Sequence, residues 1–140
     1  MIHVERATEE DINAMCLIDR HTIGDDTRFA KIAHAVGHRQ ALIAKLGWDK
    51  VGFAILNRHF FDYTFIELLV VHSDYRRQGV ASALMTYAEK TCPDDRLFTS
   101  TNQSNTAMQA LLNKRGYIHS GTVAHLDESD PKWIYVKFLK

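Results

Sequence analysis

The chain has 140 residues, 46% hydrophobic and 24% charged, enough for one domain with a real core but not for two. Seventeen Lys and Arg balance seventeen Asp and Glu, so no global basic field points to nucleic acid as a partner. No apolar run approaches the roughly twenty residues of a membrane span, which argues against a membrane partner.

The first residues, Met1-Ile2-His3-Val4-Glu5-Arg6, carry no apolar leader segment. Cys16 and Cys92 lack close spacing and read as two buried thiols of a cytoplasmic protein. The eight histidines show no metal-ligand spacing with a matching carboxylate: His34 and His38 are four apart but flank Gly37, so no metal is expected.

Residues 2–5 alternate apolar and polar and predict a first strand. Thr8, followed by Glu9, Glu10 and Asp11, has the form of a helix N-cap with an acidic first turn. Ile12, Met15, Cys16, Leu17 and Ile18 supply that helix with an apolar side, ending near Arg20. A polar loop around Gly24 follows. Phe29, Ile32, Ala33 and Val36 then predict a short helix stopped by Gly37.

Residues 40–46 and 51–56 predict two strands joined by the turn Gly47-Trp48-Asp49-Lys50, the second strand reaching as far as Phe60. The apolar, β-branched run from Phe65 to Val71 predicts a buried strand. Val80, Leu84, Tyr87 and Ala88 recur at helical spacing from about Gln78 onward. Residues 97–101 form a further short strand, parallel to 65–71 because a helix connects them. A helix over 105–115 and two long strands, 117–126 and 132–139, complete a mixed α/β chain with no linker or repeat.

Between the strand ending at Val71 and the helix near Gly79 lies a basic turn, Arg76-Arg77-Gln78-Gly79. A turn opening a helix aims free backbone N–H groups and the positive end of the helix dipole at one spot, which suits a phosphate. Glycine permits close approach, and the arginines add positive charge. Solvated arginines on an ordinary connection are the alternative reading of the same residues.

Arg76-x-x-Gly79-x-Ala81, preceded by Leu69-Val70-Val71 and Asp74-Tyr75, resembles the acetyl-CoA-binding signature R/Q-x-x-G-x-G/A of the GNAT superfamily of N-acetyltransferases. Asn105-x-x-Met108-x-x-Leu111 with Gly116-Tyr117 is similar to the family's N-x-x-A-x-x-L-Y-x-x-x-G-F motif. The element order matches as well. The resemblance implies a single GNAT-like domain over 1–140: a mixed, mostly antiparallel twisted sheet of about seven strands, one parallel splayed pair and about four helices.

By the same resemblance acetyl-CoA is the acyl donor, held by Leu69, Val70, Val71, Arg76, Arg77, Gln78, Gly79, Val80, Ala81 and Ser82, with Thr101, Asn105 and Met108 as further contacts. An amine is the acceptor. Leu112 stands where many relatives carry the tyrosine that protonates the leaving thiolate; Tyr117 and Tyr135 are the substitutes in this chain. Glu67 is the candidate general base, because an alkylamine of pKa about 10.4 must lose a proton before it can attack. A carboxylate in an apolar strand needs such a reason for its charge, or else a cationic partner. Asp62, Glu67, Asp127, Glu128 and Asp130 are candidate acidic residues near an acceptor entrance, and His21, Asp25 and Asp26 border it in relatives. A CoA-binding regulatory domain with little activity is the alternative, and an exposed sheet edge leaves room for a homodimer.

Overall fold

The structure is a computed structural model and describes residues 1–139. Among the described residues there are seven strands and four α-helices in the expected order: β1 (Ile2–Arg6), α1 (Ile12–Ile23), α2 (Phe29–Gly37), β2 (Ala41–Leu46), β3 (Asp49–Phe60), β4 (Tyr63–Val71), α3 (Val80–Thr91), β5 (Arg96–Asn102), α4 (Thr106–Lys114), β6 (Ile118–Val123) and β7 (Lys132–Phe138). The strands form one sheet in the order β1-β2-β3-β4-β5-β7-β6. The pair β4–β5 is parallel, in register at Phe65↔Phe98 and Ile66↔Thr99. Among the described helices none is long and apolar enough to cross a membrane.

The chain divides into two compact units, Met1–Leu56 with Glu67–Thr91, and Asn57–Ile66 with the chain from Cys92 onward. In the first unit, Met15 and Ile18 of α1 and Ile32, Ala35 and Val36 of α2 pack on Ile43, Phe53, Ile55 and Val70 of the strands. The helical period of three and four in α2 meets the strand period of two in β2 and β3, so one apolar face closes on another. Two buried carboxylates tie the helices down. Asp11 accepts from Lys50 Nζ at 2.8 Å and from Thr8 N at 2.9 Å. Burial works to raise the Asp11 carboxyl, yet these two donors hold it below its ordinary value. Asp19 accepts from Arg28, with Nε at 3.0 Å.

In the second unit Phe60, Phe65 and Phe98 stack with centroids about 5 Å apart (5.0 and 4.9 Å). Thr99 Oγ1 donates to the Ile66 carbonyl at 3.1 Å, which locks the parallel pair. Asp94 accepts from Thr64 N and Thr64 Oγ1, both at 2.7 Å, and from Arg58 Nη2 at 2.8 Å. Those donors, the Arg58 guanidinium first, pull its carboxyl down to about 2.

Three expectations are corrected. The first helix runs on to Ile23, three residues beyond Arg20, because Gly24 at φ 84° is the left-handed residue that ends it, its N–H bonding the Arg20 carbonyl at 2.7 Å. The strand expected over 117–126 is only Ile118–Val123, its pairing with β7 interrupted between His119 and Gly121. Neither thiol is buried outright: Cys16 and Cys92 are free and half-buried.

Because Asp94 is held at about 2 against an ordinary 3.8, its contribution to stability is full above pH 4 and disappears as pH falls toward 2. Thermal melts of the native chain and Asp94→Ala should therefore differ most at neutral pH and converge between pH 4 and 2. A gap independent of pH would assign the effect to packing alone.

Candidate active site

Strand β4 ends at Val71, where His72 N donates to the Val51 carbonyl at 2.8 Å. A single 3-10 turn, Ser73–Tyr75, follows. Tyr75 anchors it, donating its hydroxyl to Asp49 Oδ2 at 2.6 Å. Arg77 at φ 64° and Gly79 at φ 83° are both left-handed, so the backbone reverses twice before α3 begins. Such a conformation is ordinary for glycine and costs an arginine of the order of 1 kcal/mol or more.

The first hydrogen bond into α3 runs from Ala83 N to the Gly79 carbonyl at 2.9 Å. The amides of Val80, Ala81 and Ser82 therefore have no intrahelical acceptor. The first turn of α3 contains no acidic residue. Arg76, Arg77, Gln78 and Gly79 are exposed, and among the described residues no carboxylate pairs with either arginine. Three N–H groups without helical acceptors, a helix dipole and two exposed guanidinium groups are the chemistry that suits an anion.

Gly52 of β3 determines where that turn stands. A Cβ there would lie 2.8 Å from Val80 Cγ1 and 2.9 Å from the Val70 carbonyl oxygen. Only glycine lets the first turn of α3 press onto β3 and β4 this closely. Val80, Leu84, Met85 and Ala88 are buried on this seat.

Glu67 lies four residues back from Val71, about 13 Å along the strand at 3.3 Å per residue. Leu69 and Val71 are half-buried and Val70 buried. The Glu67 carboxylate is 31% exposed and accepts from the Lys31 ammonium of α2. Nearby loop acids are engaged locally: Asp25 accepts from Thr27 N and Oγ1 at 3.0 and 2.7 Å, and Asp26 lies 3.8 Å from Arg20 Nε. The His21 and His72 rings are 6.4 Å apart.

In the second unit, Asn105 is the N-cap of α4 and accepts from Met108 N at 3.1 Å. Its amide oxygen is thus occupied with the helix, and the residue is exposed. Thr101 is buried and Met108 half-buried. Leu112 is fully buried, so it serves the core in the place of the motif tyrosine. Tyr117 and Tyr135 are buried too, at 4% and 2% exposure, and burial pushes the Tyr135 hydroxyl above its ordinary value. The acids of the last loop staple it shut: Asp127 accepts from Asn102 Nδ2 at 2.7 Å and pairs with Lys132 at 3.2 Å, and Asp130 accepts from Ser104 Oγ at 2.6 Å. Asp62 sits in the turn between β3 and β4 at φ 66°.

Residues 7–117 match the model of the Acetyltransferase (GNAT) family. The chain belongs to the GNAT acetyltransferase family. Its fold superposes on the crystal structure of a GNAT-family acetyltransferase from Bacillus cereus ATCC 10987 with a TM-score of 0.95 and 37% identity, covering 99% of this chain and 97% of that one. The ribosomal-protein-S18-alanine N-acetyltransferase of Escherichia coli shares the fold at 19% identity and TM-score 0.85, over 100% of this chain and 95% of its own. A Salmonella typhimurium protein solved with its cofactor acetyl-CoA does so at 16% identity and TM-score 0.81, over 99% and 94%. No curated protein matches the chain.

This GNAT enzyme transfers acetyl groups, with acetyl-CoA as donor. The turn from Arg76 to Ser82 suits that donor, since its diphosphate needs N–H groups and cations with no carboxylate among them. Acetyl-CoA supplies the activated thioester carbonyl; the chain supplies its grip and its surroundings. Two residues important to this arrangement escaped the sequence. Lys31 gives no signal, standing 36 residues from its partner in an otherwise ordinary helix. Gly52 does give one, because an isolated glycine in a strand marks a bulge or a close approach.

Gly52→Ala should cost about 1–3 kcal/mol of stability through overpacking on Val80. It should also weaken acetyl-CoA binding, because the displaced helix carries the amides with it. Thermal melts and calorimetric titration together check this. A variant that melts normally and binds normally would show that the seat is not needed.

Proposed function

We propose that this GNAT acetyltransferase acetylates a primary amine by direct attack on acetyl-CoA, with Glu67 as the base and the turn from Arg76 to Ser82 as the diphosphate holder. One observation carries the reading. The carboxylate on β4, about 13 Å along the strand from its end at Val71, already holds a primary ammonium, that of Lys31. Lys31 is also the cationic partner that a carboxylate in an apolar strand asks for, and a carboxylate placed to hold one alkylammonium is placed to hold another.

The chemistry follows from charge. At neutral pH an alkylamine is almost wholly protonated, with a pKa of about 10.4. Glu67 binds the ammonium, relays a proton to solvent and leaves nitrogen with a lone pair beside the thioester carbonyl. Backbone N–H groups near Val70 and Val71 support the oxygen as it gains charge. The carbon–sulfur bond then breaks with its electron pair on sulfur. A thiol has a pKa of about 8.5, so its thiolate departs at neutral pH without an obligatory acid. Leu112, which cannot donate a proton, is compatible with that. Where a donor does assist, Tyr135 and Tyr117 are the candidates, although burial pushes the Tyr135 hydroxyl above its ordinary value and so makes it a weaker acid.

Purified protein titrated with acetyl-CoA, then offered a panel of amines while thiol release is followed, tests the reading. Binding with turnover of at least one primary amine is expected. Binding with no turnover across the panel would leave only a CoA-binding module. Replacing both Arg76 and Arg77 by alanine should weaken acetyl-CoA binding at least about tenfold with the melting temperature unchanged. Glu67→Gln should instead lower turnover at least about tenfold and leave acetyl-CoA affinity alone; unchanged turnover would remove Glu67 from the chemistry.

A further inference from the structure

The amine that Glu67 holds in this structure belongs to the chain itself. Lys31 Nζ donates to Glu67 Oε2, and the two side chains are 46% and 31% exposed, so the pair is open to reagents from solution. The neighbours of Lys31 on α2 keep it there: Ile32, Ala35 and Val36 are buried, which anchors the helix and directs position 31 to its surface. Lys45 and Lys50, by contrast, are spent on Glu5 and on the buried carboxylate of Asp11, and Lys132 on Asp127 and Asn102. Lys90 and Lys114 are exposed at the ends of helices. Within the first unit, Lys31 is the lysine whose nitrogen touches the proposed base.

We propose that Lys31 Nζ is an acetyl acceptor of this enzyme, so that the protein acetylates itself at this residue when no other amine is present. The inference rests on the proposed function, with Glu67 as base. The ammonium gives up one proton, through the Glu67 carboxylate, to solvent. Nitrogen then attacks the thioester carbonyl of acetyl-CoA and forms the carbon–nitrogen bond. The carbon–sulfur bond breaks, its electron pair stays on sulfur, and the second nitrogen proton ends on that sulfur as the free thiol. The products are an Nζ-acetyl amide, CoA and one proton; no oxidant or further reactant enters. The amide is neutral, so acetylation abolishes the ion pair with Glu67 and turns that carboxylate from a paired charge into one that attracts a cationic acceptor.

The test needs only the full chain and acetyl-CoA, with no added amine. Samples taken over time are digested and mapped by mass spectrometry. One acetyl group should accumulate at Lys31 faster than at Lys90 or Lys114, at a rate that saturates with acetyl-CoA. Glu67→Gln should slow it at least about tenfold, and Lys31→Arg, which keeps the charge, should carry no label at that position. Acetyl-CoA bound by calorimetry with Lys31 unmodified would overturn the proposal and leave the amine transferase standing. So would equal labelling of Lys31, Lys90 and Lys114, which is ordinary chemical acetylation. No binding of acetyl-CoA would remove both readings together.

Discussion

Helix α3 reaches its place on the sheet because position 52 has no side chain. Val80 fills the space that a Cβ would take, 2.8 Å from its Cγ1, and the Val70 carbonyl stands just as near on the other side. The same residue thus sets how closely the first turn of α3 approaches β3 and the Val70 carbonyl of β4. The proposed grip on the diphosphate of acetyl-CoA starts from that placement. The two left-handed residues and the arginines belong to the connection from Val71 to Val80, and the dipole to the helix that it opens.

Charge is distributed with a purpose that the neutral total conceals. Asp11, Asp19 and Asp94 are each met by a lysine or an arginine inside the framework, and there the ion pair holds elements together. Arg76 and Arg77 have no such carboxylate among the described residues, and stand exposed beside amides without acceptors. Two like charges kept together in a protein of zero net charge await a counterion. Glu67 and Lys31 lie between these extremes, paired yet half open to solvent. A partly exposed pair is weak, with a worth of about 0–1 kcal/mol, so another ammonium can displace Lys31 at little cost.

Much of the architecture was written in local pattern. The apolar run before Val71 and the helical spacing after Gly79 set the element order, because each is decided by neighbours a few residues away, whereas α2 runs through the expected stop at Gly37 and is capped by His38. Ends were less legible: α1 passes Arg20 since Gly24, and not the loss of apolar period, stops it. The turn from Arg76 to Gly79, between the strand and the helix, was legible for the same local reason. A cationic partner for Glu67 was legible as an alternative, but not that it is Lys31, since nothing in either segment encodes a contact across 36 residues. Nor was the burial of Tyr135, which depends on packing that no short window contains.

Amide resonances report directly on whether backbone N–H groups hold the diphosphate. In a titration of isotope-labelled protein with CoA, the largest shifts should fall on Gly79, Val80, Ala81 and Ser82, saturating with one equivalent of nucleotide. Saturable binding that leaves these four amides unmoved, while others shift, would contradict the account at its centre.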